Sequence, residues 1–424
     1  MTTRQRCGVV AGLDPPTAPA DLPGTAEGVI DWLIDPERRG ELYPLFHRLR
    51  DLAPVHRSAA FHGAAWILSR HDDAEAVFRN AAAVNDPATV EFFNHGGAGG
   101  PFYQSMKNMM LFLETGPHAH IRRIVARAFT PRSIAVLRPL TTRVTESLID
   151  SVQADGGMDY VSQYAYQVPF RVIAHILGVP EADFGTVERY AWDYARAGEP
   201  GTDAATAASG DAAALGFGEY FTRLIELRRT EPTDDVTSAL IHLEEDGRHL
   251  RTEQLIATMI LLMQAGHETT SDLLGNSLVA LFRHPEQLDR LRREPAITVD
   301  AVEELLRYDT SVQTSRRLLL EDMRIGEVVM PAGDLVLVLE GAANRDPARY
   351  ADPDRLDLGR QVRQHLAFAL GTYYCIGNAL ARAEIQIGLR TLLDRLPGIR
   401  PAKDTFRWRT TLQAHGPLEL EVAW

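Results

Sequence analysis

The stretch Phe368-Ala369-Leu370-Gly371-Thr372-Tyr373-Tyr374-Cys375-Ile376-Gly377 decides how this chain is interpreted. It places a cysteine between glycines, directly before an apolar helical pattern, in a chain whose only other cysteine is Cys7. A lone cysteine in a tight loop has no evident disulfide partner, but its thiolate can bind a metal, above all near a helix N-terminus. An inert buried cysteine is the simpler alternative, but it does not explain the glycines. The stretch therefore predicts a thiolate metal ligand at Cys375.

Composition limits the classes of function. The 424 residues include 44 Lys and Arg and 57 Asp and Glu, a formal net charge of −13. This charge argues against bulk binding to nucleic acid or anionic membranes. The most apolar run, residues 255–265, is too short to cross a bilayer, and residues 1–23 lack the apolar core of a signal peptide. Two distant cysteines fit a reducing compartment, so we expect a cytoplasmic protein.

Helical periodicity dominates the chain and predicts a mainly α fold with small β-sheets. Short strand-like runs are found at residues 65–69, 335–339 and 418–422. Residues 198–216, rich in Ala, Gly, Thr and Ser, are interpreted as a mobile connection between helices. Residues 350–364 are rich in Asp, Pro and Arg and are interpreted as an irregular meander. We expect a flexible N-terminus at residues 1–24, followed by a single domain at residues 25–424.

A second informative segment runs from Thr252, a candidate helix N-cap, to Pro285, which stops a helix. Its centre reads Ala265-Gly266-His267-Glu268-Thr269-Thr270. The Thr269 hydroxyl can donate to the Ala265 carbonyl and loosen the helical hydrogen-bond ladder, which would open a polar notch. A buried helix with a harmless polar turn explains the same residues, so this segment alone does not decide the function.

Two further motifs are weaker. Glu304 and Arg307 share a helix face and can pair, as many solvated helix faces do. His118 and Arg122, four residues apart, could jointly hold an anionic group or could be ordinary surface residues. Each motif carries little information when it is taken alone, and only their order along the chain adds to it.

Taken in order, these motifs resemble those of the cytochrome P450 family, especially its soluble bacterial members. The pattern is His-x-x-x-Arg, Ala-Gly-x-Glu-Thr-Thr, Glu-x-x-Arg and Phe-x-x-Gly-x-x-x-Cys-x-Gly. It covers the chain from near Asp35 to the end. The resemblance implies the cytochrome P450 fold, with haem b between a long central helix and the helix that follows the cysteine loop. It also implies that Cys375 is the axial thiolate of the iron, a ligand that favours O–O cleavage.

The resemblance also assigns roles to residues around the haem. Glu268 and Thr269 are similar to the family's acid–alcohol pair, which relays protons during oxygen activation. The haem carboxylates are expected to be bound by His118, Arg122 and Arg317, with Arg316 as the alternative to Arg317. Further haem contacts are expected from Ala265, Gly266, Phe368, Tyr373 and Gly377. Gly266 is expected to leave room above the iron, and Gly371 and Gly377 to let the backbone approach the sulfur.

Two residues of the cysteine loop depart from the family pattern. Ala369 stands where the family has glycine, and a positive φ there would cost about 1 kcal/mol. Tyr373 stands where the family usually has a histidine that binds a haem carboxylate. Tyrosine can donate a hydrogen bond but carries no positive charge, so we expect slightly weaker haem retention.

A structural triad is also implied by the resemblance. Glu304, Arg307 and Arg355 are similar to the family's three residues that tie a helix to the meander. Buried charges of this kind are costly unless they are fully paired. We therefore expect the triad to support folding and the haem loop, and not to take part in chemistry.

The expected substrate is a medium-to-large, largely apolar organic molecule, because aromatic and methionine side chains are frequent in the region that forms the family's distal lid. Candidate substrate contacts are Phe92, Phe93, Met110, Leu111, Gln264, Val312, Gln313, Leu412 and Gln413. Gly96-Gly97 and Gly99-Gly100 are candidate hinges of this lid.

The resemblance implies a monomeric monooxygenase that hydroxylates or epoxidises its substrate in secondary metabolism, such as antibiotic biosynthesis. Electrons would come from a separate ferredoxin and ferredoxin reductase, with Arg122, Arg123, Arg127, Arg132 and Arg382 as a candidate basic docking surface. Oxidative ring closure, aryl coupling or desaturation on the same fold is an open alternative. A haem sensor without turnover is a third possibility, but it would not need the Glu268–Thr269 pair.

Overall fold

The computed structural model describes residues 8–13, 21–36, 42–61, 64–94, 99–199, 202–245, 248–362 and 364–424. The helices are α1 (Ala26–Ile34), α2 (Leu42–Leu52), α3 (His71–Arg79), α4 (Pro101–Lys107), α5 (Thr115–Ala128), α6 (Pro131–Val152), α7 (Gln167–Ile176), α8 (Phe184–Ala197), α9 (Ala204–Thr230), α10 (Val236–His242), α11 (Thr252–Arg283), α12 (Pro285–Arg293), α13 (Thr298–Tyr308), α14 (Glu340–Asn344) and α15 (Asn378–Arg395). The 3-10 helices that matter for the site are Pro87–Phe93, Met110–Phe112 and Gly371–Tyr373. The predicted mainly α fold is confirmed.

The strands are short, as predicted. They are β1 (Gly8–Gly12), β2 (Val55–Ser58), β3 (Ala65–Leu68), β4 (Ala83–Val84), β5 (Gly157–Asp159), β6 (Glu244–Glu245), β7 (Arg248–His249), β8 (Thr314–Leu319), β9 (Met323–Ile325), β10 (Val328–Met330), β11 (Leu335–Leu339), β12 (Arg400–Pro401), β13 (Thr405–Arg409), β14 (Pro417–Glu419) and β15 (Glu421–Ala423). The largest sheet has the order β2-β3-β11-β8-β4, and three-stranded sheets have the orders β1-β13-β14 and β12-β15-β5.

Helix α11 runs through the core and packs against α7, α9 and α15. It begins at Thr252 itself, so the predicted N-cap is displaced by one residue. The backbone N–H of Arg251 donates to Oε1 of Gln254 at 3.0 Å at this end. Pro285 interrupts the helical path as predicted, because α12 starts there after α11 has ended. Among the described residues, no helix has both the length and the apolar character that crossing a membrane requires.

Two of the three predicted strands form the centre of the largest sheet. β3 and β11 are parallel neighbours, with Ala65 opposite Leu335. The third run is divided at Leu420 into β14 and β15, which belong to different sheets. The Leu420 amide donates to the Asp159 carboxylate at 3.0 Å, and its carbonyl accepts the Tyr160 amide at 2.8 Å. These hydrogen bonds, to Asp159 of β5 and to Tyr160 directly after it, mark the point at which β14 ends and β15 begins.

The predicted mobile connection at residues 198–216 is wrong for most of its length, because α9 already begins at Ala204. The Asp203 carboxylate caps this helix by accepting the Thr206 amide at 2.7 Å. A Cβ on Gly210 would lie 2.1 Å from the Ala197 Cβ, so small residues let α9 pack closely on α8. Small residues here serve helix packing. The predicted meander is irregular, as expected, with Leu356 and Leu358 buried.

Near the N-terminus, the structure contains a strand that the sequence did not predict. β1 pairs with β13 in antiparallel register, with Gly8 opposite Arg409 and Gly12 opposite Thr405. The other strand next to β13 is β14. This sheet therefore joins the start of the described chain to its C-terminal hairpin. Cys7 lies outside the described residues.

Candidate functional site

The cysteine loop holds the Cys375 sulfur at the entry to α15. The Cys375 amide donates to the Phe368 carbonyl at 3.0 Å, and the Asn378 side chain donates to the Cys375 carbonyl at 2.7 Å. Burial raises the pKa of the thiol, whereas the Gly377 amide, which donates to the sulfur, and the nearby Arg122 oppose this shift. The side chain is partly accessible even though protein atoms surround it closely. These amide and charge contacts are the kind that stabilise a thiolate.

Backbone geometry explains two of the loop residues and revises the role of a third. Ala369 has a φ of 53°, so this position keeps the left-handed conformation without a glycine. Gly371 has a φ of 66°, and a Cβ there would lie 2.3 Å from the Phe78 carbonyl oxygen. Gly377 has a φ of −80°, and a Cβ there would lie 4.0 Å from the sulfur. The Gly377 backbone reaches the sulfur through its amide, although a Cβ there would not prevent this contact. The close approach that requires glycine at Gly371 is to Phe78 and not to the sulfur.

A group of cationic and polar side chains lies beside the loop. The His118 ring lies 4.7 Å from the Tyr373 ring, and the Arg317 guanidinium lies 5.0 Å from the same ring. Arg122 donates to the Tyr374 carbonyl. Arg316 points elsewhere, with its guanidinium 4.9 Å from the Phe92 ring. The structure therefore brings together His118, Arg122, Arg317 and Tyr373, and separates Arg316 from them.

His118 is well placed to bind an anion. Its Nδ1 donates to the Met110 carbonyl at 2.9 Å, since a carbonyl can only accept. Its Nε2 is buried and has no hydrogen-bond partner among the described residues. Burial lowers the pKa of His118, so without an anion the ring is neutral at pH 7. A carboxylate at Nε2 would require the protonated ring and would stabilise its charge.

This donor set fits haem b, the group implied by the sequence resemblance. The chain offers a sulfur at a helix entry, an orphaned buried imidazole nitrogen and two guanidinium groups within one region. These groups match the needs of one iron ligand and of two carboxylates. Ala265 is exposed although it lies in the middle of α11, so the central helix presents a small apolar surface. Phe368, another expected haem contact, packs under Arg382 at 4.5 Å.

The hydrogen bond on which the predicted notch in α11 depends is present, and α11 continues without a break through it. The Thr269 hydroxyl donates to the Ala265 carbonyl at 2.9 Å, as the sequence predicted. Gly266 has a different role from the expected one, because a Cβ on it would lie 3.3 Å from Cγ1 of Ile173 in α7. Its missing side chain therefore allows α7 to pack closely against α11. The structure gives no support to the expectation that it leaves room above the iron.

A buried ion cluster next to Glu268 was not predicted. Nε of Arg409 lies 3.1 Å from Asp272, and its other nitrogens lie 3.8 Å from Glu268 and from Glu199. Burial raises the pKa of Asp272 to about 6 in spite of the attraction of Arg409. Glu268 and Asp272 are four residues apart in α11. This spacing places both carboxylates on one face of the helix and can be recognised in the sequence. Arg409 is 137 residues from Asp272, so no local pattern reveals it.

The ion cluster borders a cavity of about 100 Å³ between α8, α11 and the C-terminal hairpin. Glu199, Glu268 and Arg409 line it, together with the aromatic rings of Tyr166 and Trp192. A cavity with several polar partners can hold water. The carboxylate of Glu268 can therefore exchange protons with water on the side of the cavity.

A second buried acid lies near the anion-binding group. The Ser315 hydroxyl donates to Glu340, which is 1% exposed. Burial raises the pKa of Glu340 to about 7, although Ser315 and Arg317 lower it. Glu340 therefore titrates near neutral pH beside one of the expected carboxylate-binding arginines. No local pattern in the sequence reveals it, because its neighbours on β8 are distant in the chain.

The structural triad has a different third member from the predicted one. Arg307 forms two bonds to the Glu304 carboxylate, at 2.7 and 2.8 Å, and both side chains are fully buried. The third charge is Arg360, whose Nε lies 3.1 Å from Glu304. Arg355 contributes only a carbonyl, which accepts from Arg360. Within the irregular meander, sequence spacing could not distinguish these two arginines.

The predicted substrate contacts lie in three regions: the distal segment, helix α11, and the contact between Val312 and the C-terminal hairpin. Phe92 and Leu111 are exposed, whereas Phe93 packs edge-on against Phe112 at 5.9 Å and Met110 is buried. The Gln264 amide nitrogen donates to the Ala191 carbonyl at 3.2 Å. Val312 pairs with Ala414 of the C-terminal hairpin, next to Leu412 and the exposed Gln413. The candidate hinge Gly96-Gly97 lies outside the described residues.

Gln313 does not fit the role of a substrate contact. It is fully buried. Its side-chain nitrogen donates to the Thr310 carbonyl at 2.7 Å and to the Tyr43 hydroxyl at 3.4 Å. A Cβ on Gly341 would lie 1.8 Å from the Gln313 Oε1, so the side chain is enclosed by the fold. The prediction is corrected, because Gln313 belongs to the core.

The arginines of the candidate docking surface differ in their surroundings. Arg382 is engaged by Glu303 at 2.6 Å, and Arg122 bonds to the cysteine loop. Arg123 and Arg127 are exposed on α5. Placement of the Arg132 side chain lies outside what the structure describes. Arg122 and Arg382 therefore also make contacts within the fold.

Comparison with known proteins gives a consistent result. The family model described as cytochrome P450 matches residues 219–398. Cytochrome P450 107B1 of Saccharopolyspora erythraea is 35% identical over 386 residues, which cover 89% of this chain and 93% of the relative. Mycinamicin IV hydroxylase/epoxidase of Micromonospora griseorubida is 34% identical over 385 residues, which cover 89% of this chain and 94% of the relative.

A solved structure is similar over nearly its whole length. P450BioI in complex with hexadec-9Z-enoic acid ligated acyl carrier protein has a TM-score of 0.83 and 31% sequence identity. The similarity covers 93% of this chain and 99% of that chain. Both the sequence and the fold are therefore shared over most of the length.

Proposed function

The chain belongs to the cytochrome P450 family and binds haem b, and from this premise we propose that it is a haem-thiolate monooxygenase. It inserts one atom of O2 into a medium-to-large, largely apolar organic substrate, by hydroxylation or epoxidation, and the other atom leaves as water. The observation that carries catalysis over passive haem binding is the position of Glu268. Its carboxylate lies beside the partly buried Arg409 and borders a cavity able to hold water.

The residues of the site have distinct tasks in this proposal. Cys375 supplies the iron ligand, and His118, Arg122, Arg317 and Tyr373 hold the haem carboxylates. With a thiolate ligand, bound haem supplies the chemistry that cleaves the O–O bond. The chain's own role in that reaction is proton transfer and exclusion of bulk water.

Proton transfer is assigned to the notch of α11. Thr269 keeps its hydroxyl in place by donating to the Ala265 carbonyl, and its oxygen can accept a hydrogen bond from a neighbouring water. Glu268 takes up protons on the side of the cavity, and Arg409 holds its carboxylate in position at 3.8 Å. Asp272 lies closer to Arg409, at 3.1 Å, so the contact between Glu268 and Arg409 is the weaker of the two.

A role in secondary metabolism is supported by the similarity to mycinamicin IV hydroxylase/epoxidase. The apolar distal region, with Phe93 packed against Phe112, suits a substrate of this size and polarity. We propose that electrons come from a separate ferredoxin and its reductase. The exposed Arg123 and Arg127 on α5 support a basic contact for an acidic partner, so reduction rates should fall as ionic strength rises.

The function is tested with ¹⁸O₂. Purified holoprotein, a surrogate ferredoxin system and candidate substrates are incubated under labelled oxygen, and products are analysed by mass spectrometry. Incorporation of one ¹⁸O atom per product supports the proposal. The T269A variant should divert electrons to hydrogen peroxide and lower the yield of product per electron. Products formed without label, or equal coupling in T269A, would contradict the assigned chemistry.

A further inference from the structure

Two nitrogens of the Arg316 side chain donate to no residue that the structure describes. Its Nε and Nη2 are buried and have no hydrogen-bond partner among residues 8–13, 21–36, 42–61, 64–94, 99–199, 202–245, 248–362 and 364–424. Burial lowers its pKa, and the opposing charge is that of Asp86. The Asp86 carboxylate, however, already accepts the Ala88 amide at 2.9 Å and the Thr89 hydroxyl at 3.5 Å. Arg316 is therefore left with an unused hydrogen-bonding edge.

Such an arrangement is costly unless a ligand completes it. Guanidinium nitrogens that are buried without a hydrogen-bond partner destabilise a fold. The Phe92 ring lies 4.9 Å from the guanidinium, and a cation–π contact of this kind offsets only part of that cost. Guanidinium groups present parallel N–H donors that match a carboxylate in a bidentate fashion. The free edge of Arg316 thus has the chemistry of a carboxylate site.

The position of Arg316 in the largest sheet separates it from the haem-side group. Side chains alternate along β8, so Arg316 and Arg317 point to opposite faces. Arg316 is paired across the sheet with Leu337 of β11, which shares its face. Leu337 belongs to an apolar cluster against which Leu412 packs. Phe92 covers the guanidinium from the distal 3-10 helix Pro87–Phe93.

Arg316 therefore adjoins one of the expected substrate walls, the distal segment with Phe92. We propose that Arg316 binds the carboxylate of the substrate, which makes the substrate a largely apolar carboxylic acid. This inference rests on the proposed monooxygenase function and names its substrate class. The apolar part of the acid would pack against the distal aromatic residues, while its charged end is fixed by the guanidinium and by the facing Phe92 ring.

The neighbouring side chains support Arg316 as the selective element. Gln313, the nearest buried amide on the same strand region, already donates to Thr310 and Tyr43. Arg317 faces Tyr373 and His118, where haem carboxylates are expected. Among the described arginines near the distal segment, Arg316 is thus the one with an unused edge toward it. Neutral esters or alcohols cannot replace an acid there, because they cannot balance the charge.

The test is a spectral titration of ferric holoprotein with matched pairs of ligands. Each pair is an acid and its methyl ester, from dodecanoic to hexadecanoic acid, together with arylalkanoic acids of similar length. Wild type should bind the acids at least tenfold more tightly than the esters. R316Q should weaken acid binding at least tenfold and leave ester binding unchanged, and R316K should retain part of the preference. R324Q, which changes an exposed arginine of β9, serves as the matched control.

The outcomes separate this inference from the proposed function. Equal binding of acids and esters by wild type, an unchanged preference in R316Q, or no binding of any acid would overturn the carboxylate site. The reduced carbon monoxide spectrum is recorded for each variant. A normal thiolate spectrum without acid preference refutes only the inference about Arg316. Absence of that spectrum in wild type refutes the haem-thiolate function itself. R316K keeps the test decisive if R316Q loses haem.

Discussion

Replacing Ala369 by glycine should stabilise the protein, because Ala369 holds a left-handed backbone conformation with a φ of 53°. For a residue with a Cβ this conformation costs about 1–2 kcal/mol. Glycine removes that strain, but its greater freedom in the unfolded chain takes back about 0.4–1 kcal/mol. The net expected gain in the free energy of unfolding is about 0.5–1 kcal/mol. The Ala369 amide also donates to the Leu366 carbonyl at 2.8 Å, which glycine preserves.

Equilibrium urea denaturation of the holoprotein, followed by tryptophan fluorescence and by haem absorbance, measures this gain. The matched control is A367G in the same loop, at a buried position without a positive φ. Glycine there relieves no strain and should destabilise the protein by about 0.5–1 kcal/mol. If A369G is no more stable than wild type while A367G is destabilised, the conformation of the loop in the protein differs from the one described, and the argument fails.

Three further predictions concern buried charges. R360A should lower the free energy of unfolding by about 2 kcal/mol, since it removes a charged hydrogen bond to Glu304. R355A should change it by less than about 0.5 kcal/mol. Urea denaturation measures both variants, and a larger loss in R355A than in R360A would contradict the corrected triad. The pKa of Glu340 is raised to about 7 from 4.5, so its stabilising effect is greatest below pH 4.5 and is lost as the pH rises through about 7. Relative to E340Q, wild type should lose about 3 kcal/mol across that range, and parallel stability curves would refute this. Because the pKa of His118 is lowered by burial and a carboxylate at Nε2 needs the protonated ring, haem affinity should rise as the pH falls through the neutral range. H118Q should flatten this dependence in haem-transfer assays, and an unchanged pH dependence would remove His118 from the carboxylate site.

Features that depend on near neighbours in the chain could be predicted from the sequence. The Thr269–Ala265 hydrogen bond and the Glu304–Arg307 pair join residues within one helical turn, so spacing alone specifies them. The helical character and two of the central strands follow from periodicity. The cysteine loop was identified from its glycines, although the structure gives Gly377 no steric role of the expected kind.

Features that depend on the three-dimensional fold could not be predicted in this way. The Arg409–Asp272 ion pair joins a strand to a helix across 137 residues. Gly266 lies on the side of α11 that packs against α7. The side chain of Gln313 is held by Tyr43 and Thr310. Sequence reasoning assigned both residues to the site because their positions matched a motif or a pocket wall. Tertiary packing encloses Gln313 in the core and gives Gly266 a close contact with α7.

The central claim is that the Cys375 thiolate is the iron ligand of bound haem, and the optical spectrum of the reduced protein with carbon monoxide tests it most directly. Wild type should show a strongly red-shifted Soret band. C375S should keep some haem through His118, Arg122 and Arg317 but should lose the red shift. A red-shifted band that persists in C375S, or a wild-type protein that binds haem without this band, would contradict the claim.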